Sequence, residues 1–170
     1  MADALVRPAG PEDVSTLARL QLSVWQQAYS DLLPASALFA DPDAQAEVWA
    51  TRLSAGGAVL LAFEGTEPVG LATTDPDLDE RDAAQLELMH VLPRWSRRGH
   101  GGRLLGAAAA ELRKTGAARA TWWAPETDES VQQFLLGVGW NADGARRVLD
   151  TGEGTFTEIR YSGNLDLILL

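Results

Sequence analysis

Apolar residues recur along the first third of the chain with two different periods. Residues 4–9 form a short apolar stretch that favours a strand ending at Pro8. Apolar residues then follow at helical spacing, at Val14, Leu17, Ala18, Leu22 and Trp25. Pro11 and the two acidic residues after it are typical of a first helical turn. Residues 34–53 predict a second helical region, interrupted where Asp41 could cap a helix that starts at Pro42.

The middle of the chain has the pattern of paired strands. Residues 58–74 predict a β-hairpin with a tight turn between Glu64 and Glu67. An acidic segment, residues 75–83, separates this hairpin from a further predicted strand, residues 85–92, which Pro93 ends. We expect the acidic segment to be either a solvated loop or a feature that attracts a cationic substrate.

The last third alternates between the two periods. Residues 102–116 are good helix formers ended by Gly116, residues 118–124 predict a strand, and a short helix and a terminal hairpin follow. This order of elements predicts an α/β fold of the α+β mixed-sheet kind, with antiparallel neighbours first and a strand–helix–strand crossover later. No repeat or composition break divides the chain, so we expect one domain over residues 1–170.

Composition narrows the possible partners. The chain has 170 residues, a net charge of −10 and no cysteine, which excludes disulfides, thiolate metal sites and cysteine nucleophiles. The acidity argues against nucleic-acid or anionic-membrane binding and indicates either solubility or attraction of cationic substrates. The sequence shows no signal-peptide pattern and no run of about 18 apolar residues, so we expect a cytoplasmic protein.

One short cationic segment, "WSRRGHGGRLL" at residues 95–105, contrasts with this acidity. It joins a predicted strand to a predicted helix, and the first turn of a helix presents unpaired N–H groups that bind anions. Glycines allow close approach of the backbone, and Arg97, Arg98 and Arg103 add positive charge. A phosphate or pyrophosphate is the natural ligand, although a plain strand-to-helix turn with solvated arginines stays possible. Neither the phosphate-loop pattern nor the dinucleotide pattern G-x-G-x-x-G is present.

In its context this segment resembles motif A of the GNAT superfamily, the acetyl-CoA-dependent N-acyltransferases. The motif core Q/R-x-x-G-x-G/A falls on residues 96–101, with Ser96 in place of the first Gln or Arg. The resemblance covers nearly the whole chain, including the opening strand and helices, the hairpin "VLLAFEGTEPVGLA", the segment "FLLGVGWNADGARR" and the closing strand "FTEIRYS".

The resemblance implies a fold and a cofactor. It implies a mostly antiparallel sheet with helices on both faces, whose fourth and fifth strands, residues 85–92 and 118–124, are parallel and splay apart around the pantetheine of acetyl-CoA. Strand residues Met89, His90 and Val91 would bind the pantetheine through their backbone. The pyrophosphate would lie on the loop and first helical turn, with His100 lining the loop near the phosphates. The residues implied for this loop are Arg97, Arg98, Gly99, His100, Gly101, Gly102 and Arg103.

The chemistry needs a base for the acceptor amine, because an ammonium group with a pKa near ~10.4 is not nucleophilic. Many relatives carry a glutamate at the position of Gln85, so we expect Glu87, two residues on and on the same strand face as Gln85 and Met89, to be the base. His90 would then face the opposite way, packed or at the surface. A solvent-facing structural role for Glu87 is equally open.

The sequence offers several candidates for the general acid. The tyrosine that relatives carry after Phe134 is Leu135 here, and Asp128 replaces an asparagine expected to contribute to the cofactor site. Tyr29, Ser130 or Tyr161 could replace the missing tyrosine, and Tyr29 is the one we expect near the acceptor. We therefore expect an N-acetyltransferase that transfers acetyl to a primary amine of a small molecule or peptide.

Three points stay open at this stage. One alternative is a GNAT-fold acyl-CoA-binding module with weak or no catalysis, and another is an unrelated phosphate-binding fold. The chain could be a monomer or a homodimer. The apolar residues 164–170 would pack on the chain itself or on a partner subunit.

Overall fold

The mixed sheet predicted from the sequence is confirmed by the computed structural model, which describes residues 3–75 and 83–167. Within these ranges seven strands form one sheet in the order β1-β2-β3-β4-β5-β7-β6. The strands are β1 Ala4–Pro8, β2 Val59–Glu64, β3 Glu67–Asp75, β4 Ala83–Val91, β5 Arg119–Pro125, β6 Asn141–Asp150 and β7 Thr155–Asn164. The helices are α1 Val14–Ala28, α2 Ala35–Leu38, α3 Pro42–Ser54, α4 His100–Lys114 and α5 Glu129–Gly137.

Two helix starts follow the local chemistry that the sequence predicts. Asp41 caps α3 by accepting a hydrogen bond from the Asp43 N–H at 3.4 Å, and Pro42 occupies the first turn. Before α1, buried Asp13 accepts the Gly10 N–H at 2.9 Å and pairs with Arg7 of β1 at 2.8 Å. The hydrogen bond from Arg7, more than any other contact, lowers the pKa of Asp13. This contact ties the first strand to the first helix.

The sheet is antiparallel except between β4 and β5, which are parallel. These two strands pair only at their beginnings, from Ala83 opposite Arg119 to Gln85 opposite Thr121. Beyond that point β5 continues with β7 and β4 continues with β3, so the two strands diverge. The predicted splay is therefore confirmed, and it leaves one edge of β4 without a strand partner on that side.

Helices cover the sheet on both faces. On one face α4 and α5 pack against the sheet through a core that includes Leu86, Leu105 and Leu135. On the other face α1 and α3 pack through a core that includes Leu17, Trp49 and Leu71. We refer to these as the α4 face and the α1 face. Each face of the sheet thus has its own apolar core.

A β-bulge at Glu87 reverses the facing of the second half of β4. Thr73 of β3 pairs with Leu88 whereas Thr74 pairs with Leu86, so Glu87 is the extra residue. Met89 packs in the core of the α4 face, whereas Glu87 contacts α3 on the α1 face. The prediction that Glu87 and Met89 share a face, with His90 opposite, is therefore wrong.

The described part of the C-terminal segment, up to residue 167, packs on its own chain. Leu165 is buried and Leu167 is partly buried, both against the core of the α4 face. Residues 168–170 lie outside the described part, as do residues 76–82 of the predicted acidic loop. Among the described residues, no helix is long and apolar enough to cross a membrane.

Candidate active site

The glycine-rich segment forms an exposed loop in front of α4. Arg97 and Gly99 adopt left-handed backbone conformations, with φ of 61° and 85°. Helix α4 begins directly afterwards, and its first backbone bond runs from the Arg103 N–H to the Gly99 carbonyl at 3.0 Å. The N–H groups at residues 100–102 precede this bond and have no acceptor within the helix. The loop and first turn therefore present several donors at one point, as an anion site requires.

Arginines surround this turn. Arg103 lies on the first turn of α4 and donates a hydrogen bond to the Arg98 carbonyl at 3.1 Å. The Arg98 guanidinium lies 4.7 Å from the ring centroid of Trp95, within cation–π distance. Residues 96–99 are exposed. The predicted concentration of positive charge on this loop is thus present in an otherwise acidic chain.

His100 differs from the expectation that its side chain lines the loop. It is 1% exposed, and its Nε2 atom lies 2.9 Å from a carboxylate oxygen of Glu64 on β2. The edge of its ring also contacts Trp95, with a centroid distance of 6.1 Å. Because the imidazole is enclosed beneath α4, only the backbone N–H of His100 can serve a phosphate. The side chain anchors the loop to the sheet.

The gap between β4 and β5 opens beside this loop. Past Gln85, the backbone groups along the edge of β4 that faces β5 are not paired with β5. A Cβ atom placed on Gly101 would lie 3.4 Å from the Phe134 ring and 4.0 Å from the end of Met89. Residues from α4, α5 and β4 therefore meet at the mouth of the gap. A long, narrow ligand could hydrogen-bond to the free strand edge while its anionic end lies on α4.

Glu87, the predicted base, lies on the α1 face at the bulge. Its carboxylate forms an ion pair with Arg52 of α3 and accepts a hydrogen bond from the Thr73 hydroxyl at 3.4 Å. Burial lowers the pKa of Arg52, whose guanidinium also donates to the Thr74 carbonyl at 3.1 Å. The side chain of Glu87 remains 31% exposed. The carboxylate is therefore held in place yet is reachable from solvent.

The structure brings Tyr29, His90 and Asp128 together from three elements, and we call these residues the His90 cluster. Tyr29 ends α1, His90 lies on β4 and Asp128 caps α5. The Tyr29 hydroxyl donates to Asp128 at 2.8 Å, and the Tyr29 and His90 rings are 6.0 Å apart between centroids. Burial lowers the pKa of His90 to about 4, against a smaller opposing effect of Asp128. Burial and then the Asp128 charge raise the pKa of Tyr29.

Leu135 stands where the family resemblance implies a tyrosine, and its side chain has no proton to donate. Leu135 is fully buried in the core of the α4 face. Of the possible replacement donors, Tyr161 is buried in that same core and Ser130 is exposed on α5. Only Tyr29 lies on the α1 face beside β4, and its hydroxyl proton is already directed at Asp128.

Two residues that contact the site, Arg52 and Glu158, were not predicted from the sequence. Arg52 looks like any basic residue in the last turn of a helix, and Glu158 like any charged residue in a strand. Glu158 is 8% exposed, binds Arg147 at 2.6 Å and is close enough to raise the pKa of Tyr29. The Arg52–Glu87 ion pair and the effect of Glu158 on Tyr29 each join residues more than 30 positions apart, which no local pattern shows.

Comparisons with known proteins agree with this geometry. The model of the GNAT acetyltransferase family matches residues 22–138. A curated Mycobacterium tuberculosis protein described as a probable N-acetyltransferase is 27% identical over 145 residues, covering 82% of this chain and 80% of its own.

Solved structures show the same fold. A Salmonella typhimurium acetyltransferase with its cofactor acetyl-CoA superposes with a TM-score of 0.72 at 16% identity, over 96% of this chain and 94% of the other. The PaiA N-acetyltransferase of Thermoplasma acidophilum, in complex with coenzyme A, gives 0.73 at 14% identity, over 95% and 99%. Because the family model matches more than half of the residues of this chain, the chain belongs to the GNAT acetyltransferase family.

Proposed function

We propose that this protein is an N-acetyltransferase that moves the acetyl group of acetyl-CoA to a primary amine by direct attack in a ternary complex. The observation that carries the proposal is the divergence of β4 and β5 beside the N-terminus of α4. The family supports the acyltransferase chemistry, and the two structural relatives above were solved with acetyl-CoA or coenzyme A.

The residues at the gap fit coenzyme A. The N–H groups of residues 97–102, with the surrounding arginines, suit the pyrophosphate. The open edge of β4 around Met89 and Val91 suits the amides of pantetheine, which would add to the sheet like a short strand. Acetyl-CoA supplies an acetyl thioester whose thiolate, with a thiol pKa near ~8.5, can leave without help from an acid.

Glu87 is the proposed proton acceptor, acting on the amine through a water molecule. Arg52 and Thr73 hold its carboxylate on the face of β4 that is free of pantetheine contacts. The amine nitrogen forms a bond to the thioester carbonyl carbon, the carbon–sulfur bond breaks, and the amine proton passes to the carboxylate by way of water. Charge on the carbonyl oxygen would be stabilised by a backbone N–H of β4.

For Tyr29 we propose a role other than replacement of the missing acid. Its proton is donated to Asp128 at 2.8 Å and its pKa is raised by burial, so giving that proton to a thiolate would place a phenolate beside a carboxylate. We therefore propose that Tyr29 contacts the acceptor and that the thiolate departs unprotonated. The absent tyrosine at Leu135 and glutamate at Gln85 also favour the alternative, a CoA-binding module with weak or no catalysis.

Two measurements test the proposal. Isothermal titration with CoA and acetyl-CoA should show saturable binding, and its absence would overturn the assignment of the gap. A panel of amines assayed by thiol release should contain at least one acceptor whose turnover depends on both substrates. Tight CoA binding with no turnover across alkyl amines, amino acids, peptides and polyamines would favour the binding module.

A further inference from the structure

His90 is a buried polar side chain whose hydrogen bonds are unmet. It is 9% exposed, and neither ring nitrogen has a hydrogen-bond partner in residues 3–75 and 83–167. A neutral imidazole offers one N–H donor and one lone pair. Leaving such groups unpaired in a protein interior is unfavourable, so native structures rarely do it without a ligand, a water or a function at the site.

Tyr29 adds a second unused acceptor beside this ring. Its hydroxyl hydrogen is directed at Asp128 Oδ2 at 2.8 Å, which leaves the lone pairs of its own oxygen available. Asp128 is itself fixed, because its Oδ1 accepts the Val131 N–H of α5 at 3.1 Å. The orientation of the Tyr29 oxygen is therefore set by the N-terminus of a helix rather than by chance rotation.

The charged groups next to the His90 cluster make its surroundings negative. The two described hydrogen-bond donors to Asp128, Tyr29 and the Val131 N–H, are both neutral. Glu158 also acts on Tyr29, although Arg147 offsets its charge. A ligand group that donates several hydrogen bonds and carries or shares a positive charge would complement these surroundings. A primary amine is such a group.

We propose that the His90 cluster binds the reacting amine of the acceptor. His90 and the Tyr29 oxygen accept its N–H hydrogens, and Asp128 is the positioning residue that aims Tyr29. The identification of this amine as the reacting one rests on the proposed acetyl transfer. His90 lies between Met89 and Val91 on β4 and faces the α1 side, so an amine held there approaches the strand from the face opposite α4, next to the edge proposed for pantetheine.

The primary test is an NMR titration of the CoA-bound protein with n-butylammonium chloride. The chain has two histidines, so the imidazole spectrum reports His90 with His100 as an internal control. The His90 signals should shift saturably while those of His100 stay fixed. Tetramethylammonium, which has the charge but no N–H, should leave both unchanged. No shift of His90, or an equal shift with tetramethylammonium, would overturn the proposal.

Variants test the individual contacts. By isothermal titration, Tyr29→Phe should weaken n-butylammonium binding about tenfold, the size expected for one hydrogen bond to a charged group. Tyr161→Phe makes the same change in the core of the opposite face and should match the wild type. His90→Leu should fold and should also lose affinity about tenfold or more, since both ring nitrogens are unpaired in the free protein. Wild-type affinity in Tyr29→Phe and His90→Leu would refute the assignment.

The two proposals can fail separately. If n-butylammonium binds at His90 but no amine is acetylated, the amine site is confirmed and the acetyl transfer is not. If amines are acetylated while His90 remains insensitive to them, the transfer stands and the His90 cluster is not the acceptor site.

Discussion

Replacement of His90 by leucine should change how the stability of the protein depends on pH. In the folded state burial lowers the pKa of His90 from 6.5 to about 4, with Tyr29 and Asp128 as the polar groups around the ring. The unfolded chain therefore binds this proton at a higher pH than the folded chain does. The contribution of neutral His90 is fully present above pH 6.5 and is lost as the pH falls toward 4.

The magnitude follows from the two pKa values. Between pH 7 and pH 4.5 the difference in proton binding lowers the free energy of unfolding by about 2.5 kcal/mol, at 1.36 kcal/mol for each pKa unit. His90→Leu removes this titration. At pH 7 the variant should be at least as stable as the wild type, because the imidazole has no described hydrogen bond to lose.

Urea denaturation at several pH values from 4.5 to 7 measures both effects. The wild-type curve should fall more steeply with decreasing pH, by about 2.5 kcal/mol over this range relative to His90→Leu. Other titrating groups, such as Asp13 paired with Arg7, are common to both proteins and cancel in the difference. Parallel curves for the two proteins would refute the inference that His90 is neutral because it is buried.

Three further substitutions, the last with a matched control, test other parts of the structure. Glu87→Gln should lower kcat about a hundredfold or more, the low end for loss of a general base, with CoA affinity unchanged in titration; full turnover would exclude Glu87 as the base. Gly101→Ala should keep or raise Tm through helix propensity yet weaken CoA binding severalfold, about 1 kcal/mol, and unchanged affinity would remove Gly101 from the cofactor site. Gly163→Ala places a Cβ 2.1 Å from the Trp140 ring and should cost about 1–3 kcal/mol in urea denaturation, whereas Gly137→Ala, with nothing within 4 Å, should cost under about 0.5 kcal/mol. Equal stability of the last two variants would contradict the packing described for Trp140.

The sheet and the glycine-rich loop before α4 could be predicted because local patterns determine them. Short apolar runs such as residues 59–63 mark the strands, and Asp41 followed by Pro42 marks the start of a helix. The loop before α4 needs glycine at position 99, where φ is 85°. A glycine at such a position can be read directly from the sequence. Resemblance to a family then supplied the parallel, splayed fourth and fifth strands, which local pattern alone leaves open.

The acceptor side of the site could not be predicted in the same way. The bulge at Glu87 depends on how β4 pairs with β3, and a period-2 count along β4 runs straight through it. His100 resembled a loop residue because its burial depends on Glu64 from a distant strand. The His90 cluster joins residues separated by as many as 99 positions, so only the folded chain shows it.

The extra residue at Glu87 shifts the alternation of side chains between the two faces of β4 by one position. Upstream of it the even-numbered residues face α4, and downstream the odd-numbered ones do. Deletion of Glu87 would remove the bulge and make the pairing of β4 with β3 continuous, while Met89 and His90 would keep their present faces. Alignments of relatives at this strand therefore compare equivalent side chains only if they preserve the residue count on each side of position 87. Protein engineers who alter acceptor preference should likewise substitute residues within β4 and avoid insertions or deletions.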